Sequence, residues 1–91
     1  MATYDEIQIG DSATFTKTIS ESDVYLFAGI TGDLNPAHTD AVSAANGMFK
    51  QRIGHGMLTG SFISTLVGMH MPGPGSIYVG QELSFRAPLF F

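Results

Sequence analysis

The chain has no cysteine, so neither disulfides nor thiolate zinc sites can staple it. It has only four Lys and Arg against eight Asp and Glu, a net charge of −4. So few cations build no electrostatic footprint for nucleic acid. Its first residues, Met1-Ala2-Thr3-Tyr4-Asp5-Glu6, have neither the basic start nor the apolar run of a secretory signal. The cytoplasm is therefore the expected location. Between Arg52 and Glu82 there is no Asp, Glu, Lys or Arg at all. A membrane-spanning helix needs roughly 20 predominantly apolar residues. Here His55, Thr59, Ser61, Ser64, Thr65 and His70 punctuate the stretch, and Pro72-Gly73-Pro74-Gly75 breaks it. The expectation is a helix buried in protein, not a membrane span.

With 91 residues, a single domain over 1–91 is the natural reading. A domain this small buries only about 60–65% of its unfolded surface. Yet 44% of its residues are hydrophobic and 13% charged. With no cysteine to help, oligomerisation is the remaining common stabiliser, and a homodimer is expected.

Ala13, Phe15, Lys17 and Ile19 alternate with Thr14, Thr16 and Thr18, which is strand patterning after a Gly10-Asp11 turn. Ser20 and Asp23 resemble a capping box, and Val24, Phe27 and Ala28 follow at helical spacing until Gly32. Asp33 to His38 reads as a loop, because Asn35 precedes Pro36 and avoids helical angles. Thr39 is the expected cap of a short helix over 40–45, stopped by Asn46-Gly47. The uncharged helix should run from about Met57 to Met71, apolar or small on every side and therefore a core helix. Ser76 to Phe85 reads as a long strand with Ile77, Val79, Gln81, Leu83 and Phe85 on one face. Leu89-Phe90-Phe91 reads as strand sequence that lacks its partner.

Asp33 and His38 are the strongest candidates for chemistry. On one helix they would point about 140° apart. Pro36 argues for a curled loop, which can bring a carboxylate and an imidazole to one water as an acid–base pair. The same residues would serve equally well as a turn cap and a satisfied polar side chain. Gly54-His55-Gly56 at a helix start offers free backbone N–H groups to an oxyanion, or simply a tight turn. A metal held by Asp33, His38 and His55 is disfavoured, because no helical His-x-x-x-His pairing supports it.

Read together, these segments resemble the MaoC-like dehydratase family, specifically its (R)-specific enoyl-CoA hydratases. Gly32-Asp33-Leu34-Asn35-Pro36-Ala37-His38 is similar to the family's kernel Gly-Asp-x-Asn-Pro-x-His. Gly54-His55-Gly56-Met57 resembles its helix start, and Pro72 to Tyr78 its following turn and strand. The resemblance implies an α+β hot-dog fold, an antiparallel sheet around a long central helix, paired as a homodimer. It implies hydration of a trans-2-enoyl-CoA to an (R)-3-hydroxyacyl-CoA, or the reverse, in fatty acid or polyhydroxyalkanoate metabolism. Asp33 and His38 match the catalytic pair, with Ser64 and Asn35 in support. The Gly56 N–H, with His55 beside it, would hold the thioester. No metal or cofactor is implied, and the partner is an acyl-CoA thioester. Family members are longer, so C-terminal strands are expected to be missing from this chain. The competing readings are a hot-dog acyl-CoA thioesterase and a non-catalytic thioester-binding or dimerisation domain.

Overall fold

A computed structural model describes residues 3–91. The element order is α1 (Glu21–Thr31), α2 (Pro36–Thr39), α3 (Ala41–Ala45) and α4 (Gly56–Thr65), continued as a π-helical turn over Leu66–His70. The chain forms two compact units. One comprises Thr18–Thr59 with Ser84–Phe91, and the other the residues up to Lys17 with Gly60–Leu83.

The first unit holds α1 to α3 and the start of α4. The Ser20 hydroxyl accepts the Asp23 N–H, and the Asp23 carboxylate accepts the Ser20 N–H, so the capping box forms in full. Val24 and Ala28, one turn apart, are the buried face of α1, with Val24 at 0% exposure. Ala44 of α3 and Leu58 of α4 are the other buried apolar side chains. Gly32 ends α1 at φ 80°, with its N–H on the Ala28 carbonyl. A Cβ added at Gly32 would meet nothing within 4 Å. Gly32→Ala should therefore cost about 1–2 kcal/mol through the left-handed backbone alone. Gly32→Asn should cost less, since Asn tolerates that region. Urea midpoints of the two variants test this.

Two local expectations need correction. The segment after Asn35 is a helical turn, not an open loop. Pro36 is at its first position, where a missing N–H does no harm, and the Asn35 side chain accepts the Ala37 N–H at 2.9 Å. Thr39 ends that turn, so Asp40 and not Thr39 caps α3, its carboxylate accepting the N–H groups of Val42 and Ser43.

In the second unit, Phe15 lies 6.0 Å from the rings of both Phe62 and His70. A Cβ on Gly60 would come within 2.7 Å of a Leu83 methyl, so glycine lets Leu83 seat against the helix. The Ser76 hydroxyl and the Gly73 N–H both donate to the Val67 carbonyl, closing the Pro-Gly turn back onto the helix.

The expected strands over 13–19 and 76–85 form no ladder among the described residues. Ile77 and Val79 are 86% and 94% exposed. Along the long helix Leu58 and Gly60 are buried, whereas Met57, Ser61, Ser64 and Met69 are exposed. The terminal triplet, in contrast, does have partners. Phe90 makes an antiparallel bridge to Ile53, and the Leu89 carbonyl accepts the Gly54 N–H at 2.7 Å.

Candidate active site

The sequence around Asp33 leaves little freedom. The Asp33 N–H donates to the Thr31 hydroxyl at 3.2 Å, and that hydroxyl donates to the Phe27 carbonyl at 2.9 Å. Asp33 Oδ1 accepts the Asn35 N–H at 3.2 Å, which leaves Oδ2 for other work. The carboxylate is 53% exposed and so open to a ligand.

His38 is half-buried and fixed from the other side. Its Nδ1 lies 2.7 Å from the Ile53 carbonyl oxygen. A carbonyl only accepts, so Nδ1 holds the proton and Nε2 keeps its lone pair. The Ile53 N–H donates to the Ala37 carbonyl at 3.0 Å, a second tie between α2 and the segment entering α4. Asn35 caps the turn that carries His38, which gives it a supporting place in the geometry.

His55 joins the pair. Its ring stacks on His38, centroids 3.8 Å apart and planes at 29°, and Phe27 packs against it at 4.9 Å. Its Nε2 donates to the Asp33 carbonyl at 3.0 Å, with Asp33 Oδ2 at 4.0 Å. One ligand atom from each of Asp33, His38 and His55 falls within 4.8 Å of the others. Two groups that far apart can share one water, since two hydrogen bonds of about 2.8 Å span the gap. The same spacing would admit a divalent metal. Against that, the His55 Nε2 proton is committed to a carbonyl, so that nitrogen has no lone pair for a metal.

His55 was expected to face the substrate beside Gly56. At 3% exposure its side chain has no surface for a ligand. Ser64 lies in the other compact unit, exposed on α4. Gly56 is the first residue of α4, so its N–H has no carbonyl within the helix to bond. It lines an open cavity of about 490 Å³ together with Phe49, Ile53, Gly54, Thr59 and residues 85–89. Asp33, His38 and His55 are not among the residues that line it.

Sequence reasoning missed a clamp beneath the site. Arg52 donates to Glu21 at 2.5 Å and to the Tyr25 hydroxyl at 2.8 Å, and its guanidinium lies 5.1 Å from the Phe91 ring centroid. The Glu21 hydrogen bond, aided by Tyr25 and opposed by desolvation, raises the Arg52 pKa above its ordinary value. Glu21 and Tyr25 are four apart on α1 and share a face, which was the one local signal for this contact.

Comparison with known proteins identifies the class. The chain aligns with the unliganded R-hydratase PhaJ1 from Pseudomonas aeruginosa at a TM-score of 0.89 and 49% identity, over 94% of this chain and 56% of that one. Its fold is thus the hot-dog fold that the motifs implied. A family described as MaoC like domain matches residues 6–91, and the chain belongs to that family. It is 54% identical over 86 residues to the (R)-specific enoyl-CoA hydratase of Rhodospirillum rubrum, covering 94% of this chain and 60% of that protein. Against the (R)-specific enoyl-CoA hydratase of Aeromonas caviae it is 43% identical, covering 92% of this chain and 63% of the relative. The chain therefore spans less than two thirds of these relatives. No described helix is long and apolar enough to cross a membrane.

Proposed function

We propose that this domain carries the acid–base centre of an (R)-specific enoyl-CoA hydratase, a hydro-lyase acting on acyl-CoA thioesters. The observation that supports it most is the Asp33–His38 pair, held within 4.8 Å with the carboxylate exposed. A water between them gives one O–H to the Asp33 carboxylate and the other to the His38 Nε2 lone pair. Its oxygen attacks the β-carbon of the conjugated thioester, and Asp33 takes the proton. Negative charge builds on the thioester oxygen, which the Gly56 N–H stabilises. Asp33 then passes the proton to the α-carbon on the same face, completing a syn addition. The reverse sequence dehydrates the 3-hydroxyacyl-CoA.

Incubation with crotonyl-CoA tests this reading. Loss of the enoyl absorbance with formation of the (R)-3-hydroxy product supports it. Release of free CoA makes the protein a thioesterase, and binding without turnover makes it a binding module.

The working form on this reading is a cytoplasmic homodimer. Ile77 and Val79 leave an apolar face exposed, which suits burial against a second copy. Sedimentation velocity at micromolar concentration should show a species of twice the chain mass, and a stable monomer would remove the dimer from the proposal.

A further inference from the structure

We propose that His55 is a positioning residue that sets the separation and orientation of Asp33 and His38, an inference that rests on the hydratase reading. One buried imidazole touches both members of the pair by different means. Its Nε2–H holds the Asp33 carbonyl at 3.0 Å, and its ring face supports the His38 ring at 3.8 Å. Phe27 packs against the same ring at 4.9 Å, tilted by 57°. No substrate atom needs to reach it, and at 3% exposure none can.

The energetics point the same way. Among the described residues His55 is the buried polar side chain, and its Nδ1 has no hydrogen-bond partner. An unpartnered buried acceptor is costly, so an apolar ring of similar shape would serve stability at least as well. What an apolar ring cannot do is hold the Asp33 carbonyl. The other bonds of Asp33 run only to its near neighbours Thr31 and Asn35, whereas His55 ties its backbone to the start of α4, and that backbone position decides where the carboxylate meets the shared water. A misplacement of about 1 Å in such a constellation is enough to cost roughly 10²-fold in rate. Stability and turnover should therefore respond in different directions to loss of the imidazole.

Two variants test this. His55→Phe keeps the stack and deletes the donor. His55→Gln replaces the ring but returns an amide N–H near the place of Nε2–H. With crotonyl-CoA, His55→Phe should lower kcat at least about 10-fold and move KM less than about 2-fold, with an undiminished urea midpoint. His55→Gln should recover part of kcat. In an Asp33→Asn background His55→Phe should cost almost nothing further, because His55 acts through Asp33. Unchanged kcat in His55→Phe overturns the inference, as does full additivity with Asp33→Asn. A loss of folding equal in both variants makes His55 structural and overturns it too. Wild-type turnover tests the hydratase reading separately. If the wild type is inactive, the imidazole nitrogen resonances of His38 decide. They should shift in His55→Phe, and unchanged resonances overturn the positioning role.

Discussion

Asp33→Asn and His38→Ala should each lower crotonyl-CoA turnover by at least about 10²-fold, the low end for acid–base catalysis, while the protein stays folded. Asparagine keeps the shape of aspartate and its acceptor, so the 3.2 Å bond from the Asn35 N–H survives. The carboxylate is half exposed, and replacing it strands no buried charge. What disappears is the carboxylate that takes the proton from water. His38→Ala removes the bond to the Ile53 carbonyl and the stack on His55. The Ile53 N–H keeps its bond to the Ala37 carbonyl, so the tie between α2 and the chain entering α4 remains. Loss of one neutral hydrogen bond costs about 1 kcal/mol, well short of unfolding a typical domain. Rate and stability thus separate, and kcat beside a urea midpoint measures both. Turnover within a few-fold of wild type in either folded variant would take that residue out of the chemistry.

What the sequence made legible is local. Ser20 with Asp23 announces the start of α1, Gly32 its end and Asn46 the stop of α3. Each works through neighbours within four residues. The juxtaposition of Asp33 and His38 was legible for the same reason, because Pro36 forbids the continuous helix that would hold them apart. Where expectation slipped by one residue, at Thr39 and Asp40, two adjacent side chains both qualified as caps. The turn that Asn35 and Pro36 start absorbs Thr39 and leaves Asp40. The strands show the limit of pattern. Ile77 to Phe85 alternates as a strand should, yet alternation does not supply the segment that pairs with it. His55 shows the same limit inside the site. The resemblance put it beside Gly56 as a ligand contact, but it packs on Phe27 and His38, which are remote in sequence. The Arg52 clamp on Glu21 and Tyr25 was equally out of reach, since nothing near Arg52 marks its partners.

The second large effect concerns the Gly56 N–H. As the first helical residue, Gly56 occupies a place in α4 where proline fits without breaking a helix bond. His55, the residue that would precede that proline, lies outside the helix, so the usual restriction before proline is tolerable. Gly56→Pro therefore deletes a single donor and leaves the helix hydrogen bonds in place. One obstacle is steric: a Cβ at Gly56 would come within 3.0 Å of the Phe85 ring. Phe85 is largely exposed, so Phe85→Ala clears the space at modest cost to the core. The informative comparison is Gly56→Pro against Gly56→Ala, both in the Phe85→Ala background, since both bring a Cβ but only proline removes the N–H. Removal of one oxyanion donor costs about 10²–10³ in kcat, and that loss is expected for proline relative to alanine. KM should change less, because the donor matters most once charge has built on the thioester oxygen. If the two double variants turn over crotonyl-CoA at equal rates while far-ultraviolet circular dichroism shows the same helix content, the Gly56 N–H is not the oxyanion donor. The thioester would then have to be polarised by another group.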